Sequence, residues 1–193
     1  MKKDVISNCF EQLIAILTLS QKCLKSEIDF FYTLVADTYR SGGKLIIFGN
    51  GGSASDAQHF AAELIGKYKK VRNPLPAISL NSDSSVLTCI SNDFGYEHVF
   101  SRQIRALANK NDLLIGLSTS GTSVNVINGL NEALNIGCKS ILMTGPKERV
   151  QDNKYSLNIF VPSESTARIQ EVHGLVIHIL CKLIDEDKSL HDD

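Results

Sequence analysis

The stretch at 44–63, KLIIFGNGGSASDAQHFAAE, limits what this chain can fold into more than any other. Leu45, Ile46, Ile47 and Phe48 form a short apolar run of the kind that makes a buried parallel strand, expected over 45–48. The run breaks into Gly49-Asn50-Gly51-Gly52-Ser53, where glycine permits positive φ and lets backbone N–H groups approach a ligand closely. A helix is expected next, with Ser53 or Ser55 as its cap and N-terminal amides that favour an anion. On that helix His59 and Glu63 are four residues apart and share a face. An anion cradle followed by an acid–base pair points to chemistry on a phosphorylated small molecule. The plainer alternative is a tight strand–helix turn with two surface polar residues.

The rest of the pattern repeats the strand–helix alternation. Residues 4–40 carry apolar positions at helical spacing, with a break near Lys25-Ser26-Glu27, so one long helix or two precede the first strand. Further strands are expected over 77–80, 112–117, 140–144 and 157–161. Helices are expected over 84–90, 96–108, 124–135 and 166–187, with 91–95 as a break. Alternating elements of this kind make an α/β fold, a mostly parallel sheet covered on both faces. At 193 residues the chain is expected to be one domain, a helical region over 1–40 and an α/β core over 41–193. Ligands of such sheets bind beyond the carboxyl ends of the strands, where the strand order reverses. The loops 49–53 and 118–123 both follow strands and should share that edge.

Composition excludes several function classes. Lys+Arg 20 against Asp+Glu 21 leaves a net charge of −1, which gives no reason to expect a nucleic-acid or membrane surface. The basic cluster Lys67-Tyr68-Lys69-Lys70 is short and reads as a solvated helix end. The N-terminal MKKDVISNCFEQ lacks the apolar core of a signal peptide, and no run approaches a transmembrane length, so a cytoplasmic location is expected. Cys9, Cys23, Cys89, Cys138 and Cys181 are scattered, which suits reduced thiols, most of them expected in the core, and not a thiolate metal site.

The second loop, LSTSGTS at 117–123, sets Ser118, Thr119, Ser120, Thr122 and Ser123 around one glycine before a helix. Hydroxyls and amides converging there would hold a phosphate dianion without a lysine. The loop lacks the G-K-[ST] ending of a nucleotide P-loop. The plainer reading is a Ser/Thr turn that caps a helix.

Four motifs occur in order: GNGGS (49–53), NDFG (92–95), LSTSG (117–121) and RIQEVHGLVIH (168–178). Together they resemble the sugar isomerase (SIS) domain of bacterial phosphoheptose isomerases over nearly the whole chain. The resemblance implies a single SIS domain, a doubly wound, flavodoxin-like sheet of five parallel strands with N-terminal helices. It also implies a homotetramer with sites shared between subunits. The implied reaction converts sedoheptulose 7-phosphate to D-glycero-D-manno-heptose 7-phosphate through an enediol. That is the first step of nucleotide-activated heptose biosynthesis, as for lipopolysaccharide. Such an isomerisation needs one group to move a proton between adjacent carbons and another to serve the oxygens. The family's catalytic carboxylate and histidine fall on Glu63 and His178, assigned to the carbon-bound proton and to oxygen, with exchanged roles as the alternative. The family's phosphate loop falls on Ser118, Thr119, Ser120 and Ser123. Its sugar contacts fall on Asn50, Gly51, Gly52, Glu63, Asn92, Asp93 and Gln170. Some relatives hold zinc; the matching positions are His59, Glu63, Gln170 and His178, which implies an optional zinc ion, one per subunit. Lys67 stands where the family has arginine, keeping the charge and losing the bidentate fork.

Other polar residues are given quieter roles: His98 and His191 at the surface, His173 in a core hydrogen bond, Arg168 at a subunit contact or near substrate. Two alternatives accompany the isomerase reading. One is a non-enzymatic SIS protein that binds the chromosomal replication initiator, which SLNSDSSVLT (79–88) and STARIQE (165–171) also resemble. That regulator lacks the acidic residue and the histidine that this chain has at 63 and 178. The other is an SIS isomerase of a different sugar phosphate.

Overall fold

The computed structural model describes residues 2–150 and 154–190; His191 lies outside them. Helix α1 (Lys2–Cys23) and helix α2 (Lys25–Arg40) are separate, broken at Leu24, which leaves the helical region at φ −108° and ψ 1°. Strand β1 (Leu45–Gly49) leads to α3 (Gly52–Ile65), and β2 (Ala77–Ser79) to α4 (Ser84–Phe94). After α5 (Val99–Leu107) come β3 (Leu113–Ser118), α6 (Val124–Ile136), β4 (Lys139–Thr144), β5 (Leu157–Phe160) and α7 (Thr166–Glu186). The five strands are parallel, in the order β2-β1-β3-β4-β5. This is the expected doubly wound α/β sheet. Its order reverses between β1 and β3, so the loops after those two strands flank the crevice.

Strand periodicity divides the core. Leu45 and Ile47 of β1, with Leu113 and Ile115 of β3, face α2, α3 and α7. Ile46, Phe48, Leu114 and Leu142 face α5 and α6 on the other side. Both sides are apolar because parallel strands are covered on both faces. Helix α2 belongs to this core: Phe31 and Val35 are fully buried, and truncating such a phenylalanine to alanine typically costs about 3–5 kcal/mol. Helix α1 adds only the partly buried Ile16 and Leu17 to the core's hydrophobic packing. Val5, Ile6, Phe10 and Ile14 are each at least 60% exposed, so most of the apolar surplus of the N-terminal region resides on α1, with Phe30 of α2 also exposed. A groove of about 1150 Å³ runs between α1, the start of α2 and α7, lined by Ile14, Leu17, Leu24, Ile28, Val176 and Ile179.

Two expectations are corrected. Residues 91–94 are helical and form no break: Asp83 caps α4 by accepting from the Val86 N–H, and the helix runs on until Gly95 turns it off at φ 91°. Asn92 and Asp93 therefore ride on the last turn of α4. Only Cys138 and Cys181 are buried; Cys9, Cys23 and Cys89 are exposed because α1 and α4 present those positions to solvent. Among the described residues no helix is long and apolar enough to cross a membrane.

Candidate active site

The β1 loop is shaped by its glycines. Gly51 takes φ 56° and starts α3, so the helix opens before Ser53 and Ser55 and neither serine caps it, contrary to expectation. A Cβ on Gly52 would lie 2.6 Å from the Gln170 side-chain nitrogen, so only glycine lets the Gln170 amide rest on the N-terminus of α3. The Asn81 side chain closes the end of β1 from the other side. It accepts from the Gly49 N–H at 3.2 Å and donates to the Gly49 carbonyl at 2.9 Å. Asn50 is locked in a reciprocal amide pair with Asn125, both bonds 2.9 Å, and also accepts from the Tyr96 hydroxyl at 3.0 Å. Asn125, Tyr96 and Asn81 were not singled out from the sequence. Asn125 lies two residues beyond the hydroxyl loop, on the first turn of α6.

Loop 118–123 folds its hydroxyls together. Ser118 donates to Ser123 at 2.9 Å, and the Thr122 N–H and hydroxyl both point to Ser120 Oγ, at 3.2 and 3.1 Å. The Gly121 N–H closes the turn on the Ser118 carbonyl at 2.9 Å. Helix α6 starts without a side-chain cap. Hydroxyls around an uncapped helix start are the donor set that a phosphate group needs. The β1 and β3 loops are neighbours, since Gly49 registers with Leu117.

The acid–base pair lies elsewhere. His59 Nε2 donates to Glu63 Oε1 at 3.1 Å, and the His178 ring meets the His59 ring edge-on with centroids 5.1 Å apart. One potential ligand atom from each of His59, Glu63 and His178 falls within 4.8 Å of the others. Tyr68, unremarked in the sequence beyond its basic neighbours, stacks on His178 at 5.6 Å with the rings 24° apart. Two imidazoles and a carboxylate form a His₂Glu set that suits a catalytic zinc ion with an open fourth position. Gln170, the fourth expected ligand, is placed by a different contact. It sits eight residues earlier on α7, roughly 12 Å along the axis, with its amide against Gly52. One chain thus brings together three of the four expected zinc ligands. Glu63 is likewise eleven residues beyond Gly52, roughly 16 Å along α3 from the β1 loop.

The remaining expected residues divide clearly. Asn92 and Asp93 are exposed and bonded to each other at 2.8 Å; it is Tyr96, beyond the turn at Gly95, that reaches Asn50 of the β1 loop. Lys67, Lys69 and Lys70 are exposed as expected, but they lie in the loop after α3 ends at Ile65 and not on a helix end. Arg168 faces inward to the chain's own α1, donating to the Cys9 carbonyl and to Glu171, each at 2.6 Å. His98 is exposed. His173 is fully buried and bonded to the Thr144 carbonyl at 3.3 Å, the core role expected of it. Near the acid–base cluster, burial pushes the Cys181 thiol up to about 12, with Glu63 adding to the effect, so that thiol stays protonated.

Comparison with known proteins agrees with this geometry. The SIS domain family model matches residues 9–145. The phosphoheptose isomerase of Aliarcobacter butzleri is 52% identical over 156 residues, 81% of this chain and 82% of that protein. The solved phosphoheptose isomerase of Neisseria gonorrhoeae superposes with a TM-score of 0.89 at 37% identity, covering 97% of this chain and all of the other. That of Francisella tularensis superposes with a TM-score of 0.93 at 34% identity and the same coverage. With sheet order, motifs and relatives in agreement, the chain belongs to the SIS-domain phosphoheptose isomerase family.

Proposed function

We propose that this protein interconverts sedoheptulose 7-phosphate and D-glycero-D-manno-heptose 7-phosphate by proton transfer through an enediol. The observation that carries the reading is the convergence of Glu63 and His178, a carboxylate and an imidazole, within one 4.8 Å cluster. Glu63 removes a proton from C1 of the ketose while His178 protonates the C2 oxygen, giving the enediol. Glu63 then returns the proton to C2 as His178 takes one from the C1 oxygen, leaving the aldehyde at C1. No electron acceptor is needed, because C1 is oxidised as C2 is reduced. Ser118, Thr119, Ser120 and Ser123 hold the phosphate; Asn50, Gly51, Gly52, Asn92, Asp93 and Gln170 hold the sugar hydroxyls.

His59, Glu63 and His178 are the residues of this chain that would hold a zinc ion, while Gln170, the fourth donor that the resemblance implies, lies against Gly52. Such an ion, when bound, polarises the carbonyl. The long runs along α3 and α7 between the edge loops and the acid–base cluster support a site shared between subunits. Exposed Phe10 and Ile14 on α1, beside the groove against α7, support a homotetramer built through the N-terminal helices.

The test is incubation of the purified protein with sedoheptulose 7-phosphate, with products followed by NMR. A six-carbon ketose phosphate run in parallel decides between heptose and another sugar phosphate. Glu63→Gln and His178→Ala should each lower kcat by at least about 100-fold while sugar-phosphate binding survives. Near-normal turnover in either variant would sink the assignment.

A further inference from the structure

Arg72 and Asp185 form a buried ion pair that touches each element carrying the acid–base cluster. Their side chains are 1% and 3% exposed, and Arg72 Nε donates to Asp185 Oδ1 at 3.3 Å. The rest of the guanidinium serves backbone. Nη2 donates to the carbonyl of Glu63 itself at 2.8 Å, and Nη1 to the carbonyls of Leu64 at 2.7 Å and Asn73 at 3.0 Å. Glu63 and Leu64 lie in the last turn of α3, where carbonyls lack intrahelical partners. On the other side, Asp185 Oδ2 accepts from the Lys69 and Lys70 N–H groups, both at 3.0 Å. One ion pair therefore knots together the end of α3, loop 66–73 and α7. Tyr68, the residue before Lys69, is the one stacked on His178.

A buried pair with its hydrogen bonds satisfied is weak evidence of stabilisation, since apolar side chains of similar volume often hold a fold as well. What a guanidinium fork adds is direction, because its donors point along fixed lines. We propose that Arg72–Asp185 is a positioning pair for proton transfer: it fixes Glu63 relative to His178 and holds Tyr68 against the His178 imidazole. This rests on the reading of Glu63 and His178 as the proton-transfer pair. Neither residue touches the substrate. The hydroxyl loop belongs to β3 and α6, away from this knot, so substrate affinity should be spared.

Arg72→Lys keeps the charge but offers a single nitrogen, which cannot reach Asp185 and three carbonyls together. It should lower kcat at least about ten-fold and leave KM within about two-fold, the signature of lost positioning. The His178 imidazole proton signals, assigned with His178→Gln, should move as the Tyr68 ring leaves. Asp185→Asn, isosteric with the native side chain, is the second variant and should act in the same direction. Ile104→Ala, in the core on the opposite face of the sheet, controls for stability and should keep wild-type kcat despite a lower Tm. Wild-type kcat and unmoved His178 signals in Arg72→Lys and Asp185→Asn would overturn the proposal. So would an equal kcat loss in Ile104→Ala at matched Tm. If the wild type does not turn over the heptulose phosphate, the functional reading fails, and the His178 signals alone decide whether the pair positions that ring.

Discussion

His173 should make the fold acid-sensitive well above the carboxylate range. Its ring is fully buried, and Nε2 faces the Thr144 carbonyl at 3.3 Å, so Nε2 carries the proton and donates. Among the described residues Nδ1 has no hydrogen-bond partner, so a second proton there would place a buried charge with no group paired to it. Burial accordingly pushes the imidazole down to about 4 from an ordinary 6.5, the carbonyl opposing only in part. In the unfolded chain the same ring takes up a proton as pH falls through about 6.5. The stabilisation is therefore complete above about pH 6.5 and is lost progressively as pH falls through the folded value near 4. From these two values the loss is about 2 kcal/mol between pH 7.5 and pH 5, and about 3 kcal/mol in the acid limit. His173→Gln presents an uncharged amide donor to the same carbonyl at every pH. Urea unfolding at fixed protein concentration should show wild type losing about 2 kcal/mol more than His173→Gln between the two pH values. The baseline cost of the substitution cancels in that difference. Identical pH dependence in both proteins would refute the reasoning.

In the hydroxyl loop, Ser120→Ala with Ser123→Ala should raise KM more than it lowers kcat, because phosphate binding is felt in ground and transition states alike. Soaked phosphate or sulfate seen only at Lys67–Lys70, away from this loop, would count against the assignment. His59→Ala should weaken zinc binding about ten-fold or more in competition with a chromophoric chelator; an unchanged Kd would remove His59 from the ligand set. Phe10→Ser with Ile14→Ser alters only exposed α1 positions and should reduce the mass by light scattering from about four times the 21.2 kDa chain, with activity falling alongside. A fully active wild-type monomer would overturn that reading.

Much of the fold was legible because parallel strands are short apolar runs ended by special loops. Leu45 to Phe48 and Leu113 to Leu117 announce themselves, and glycine marks the stops at 42, 95 and 137. Residues 91–94 read as a break because the run is polar, whereas Asp83 caps a helix able to cross it. Exposure of Cys9, Cys23 and Cys89 was not legible, because it depends on which helix faces solvent. In the candidate site, spacing alone paired His59 with Glu63, since four residues is one helical turn. His178, more than a hundred residues away, joined them only through the resemblance. Asn125 and Tyr96 had no signal of their own: their role is to hold Asn50, and such contacts are made by topology. Arg72 and Asp185 are likewise ordinary charged residues in sequence, and only packing takes them out of water.

The separation of the two halves of the chemistry follows from the architecture itself. Helices α3 and α7 both begin at the carboxyl edge of the sheet and run back along it, so residues farther along either helix recede from the edge. Gln170 meets Gly52 at the start of both helices; His178 meets His59 and Glu63 two to three turns later. The edge loops and α6 gather hydroxyl and amide donors suited to a phosphate and a polyol. The outer layer of α3 and α7 gathers the imidazoles and the carboxylate. A heptulose phosphate carries its phosphate and its carbonyl at opposite ends of one short carbon chain, so it needs both sets at once. In the shared site proposed above, a second copy laid against the first would satisfy that need by bringing one chain's acid–base layer to the other's edge loops. Apolar side chains left uncovered on α1, which Arg168 tethers to α7, provide a surface through which such an arrangement can be held. The proposed oligomer thus ties this chain's N-terminal helices to Glu63 and His178, since the helices would set where the neighbouring site is completed.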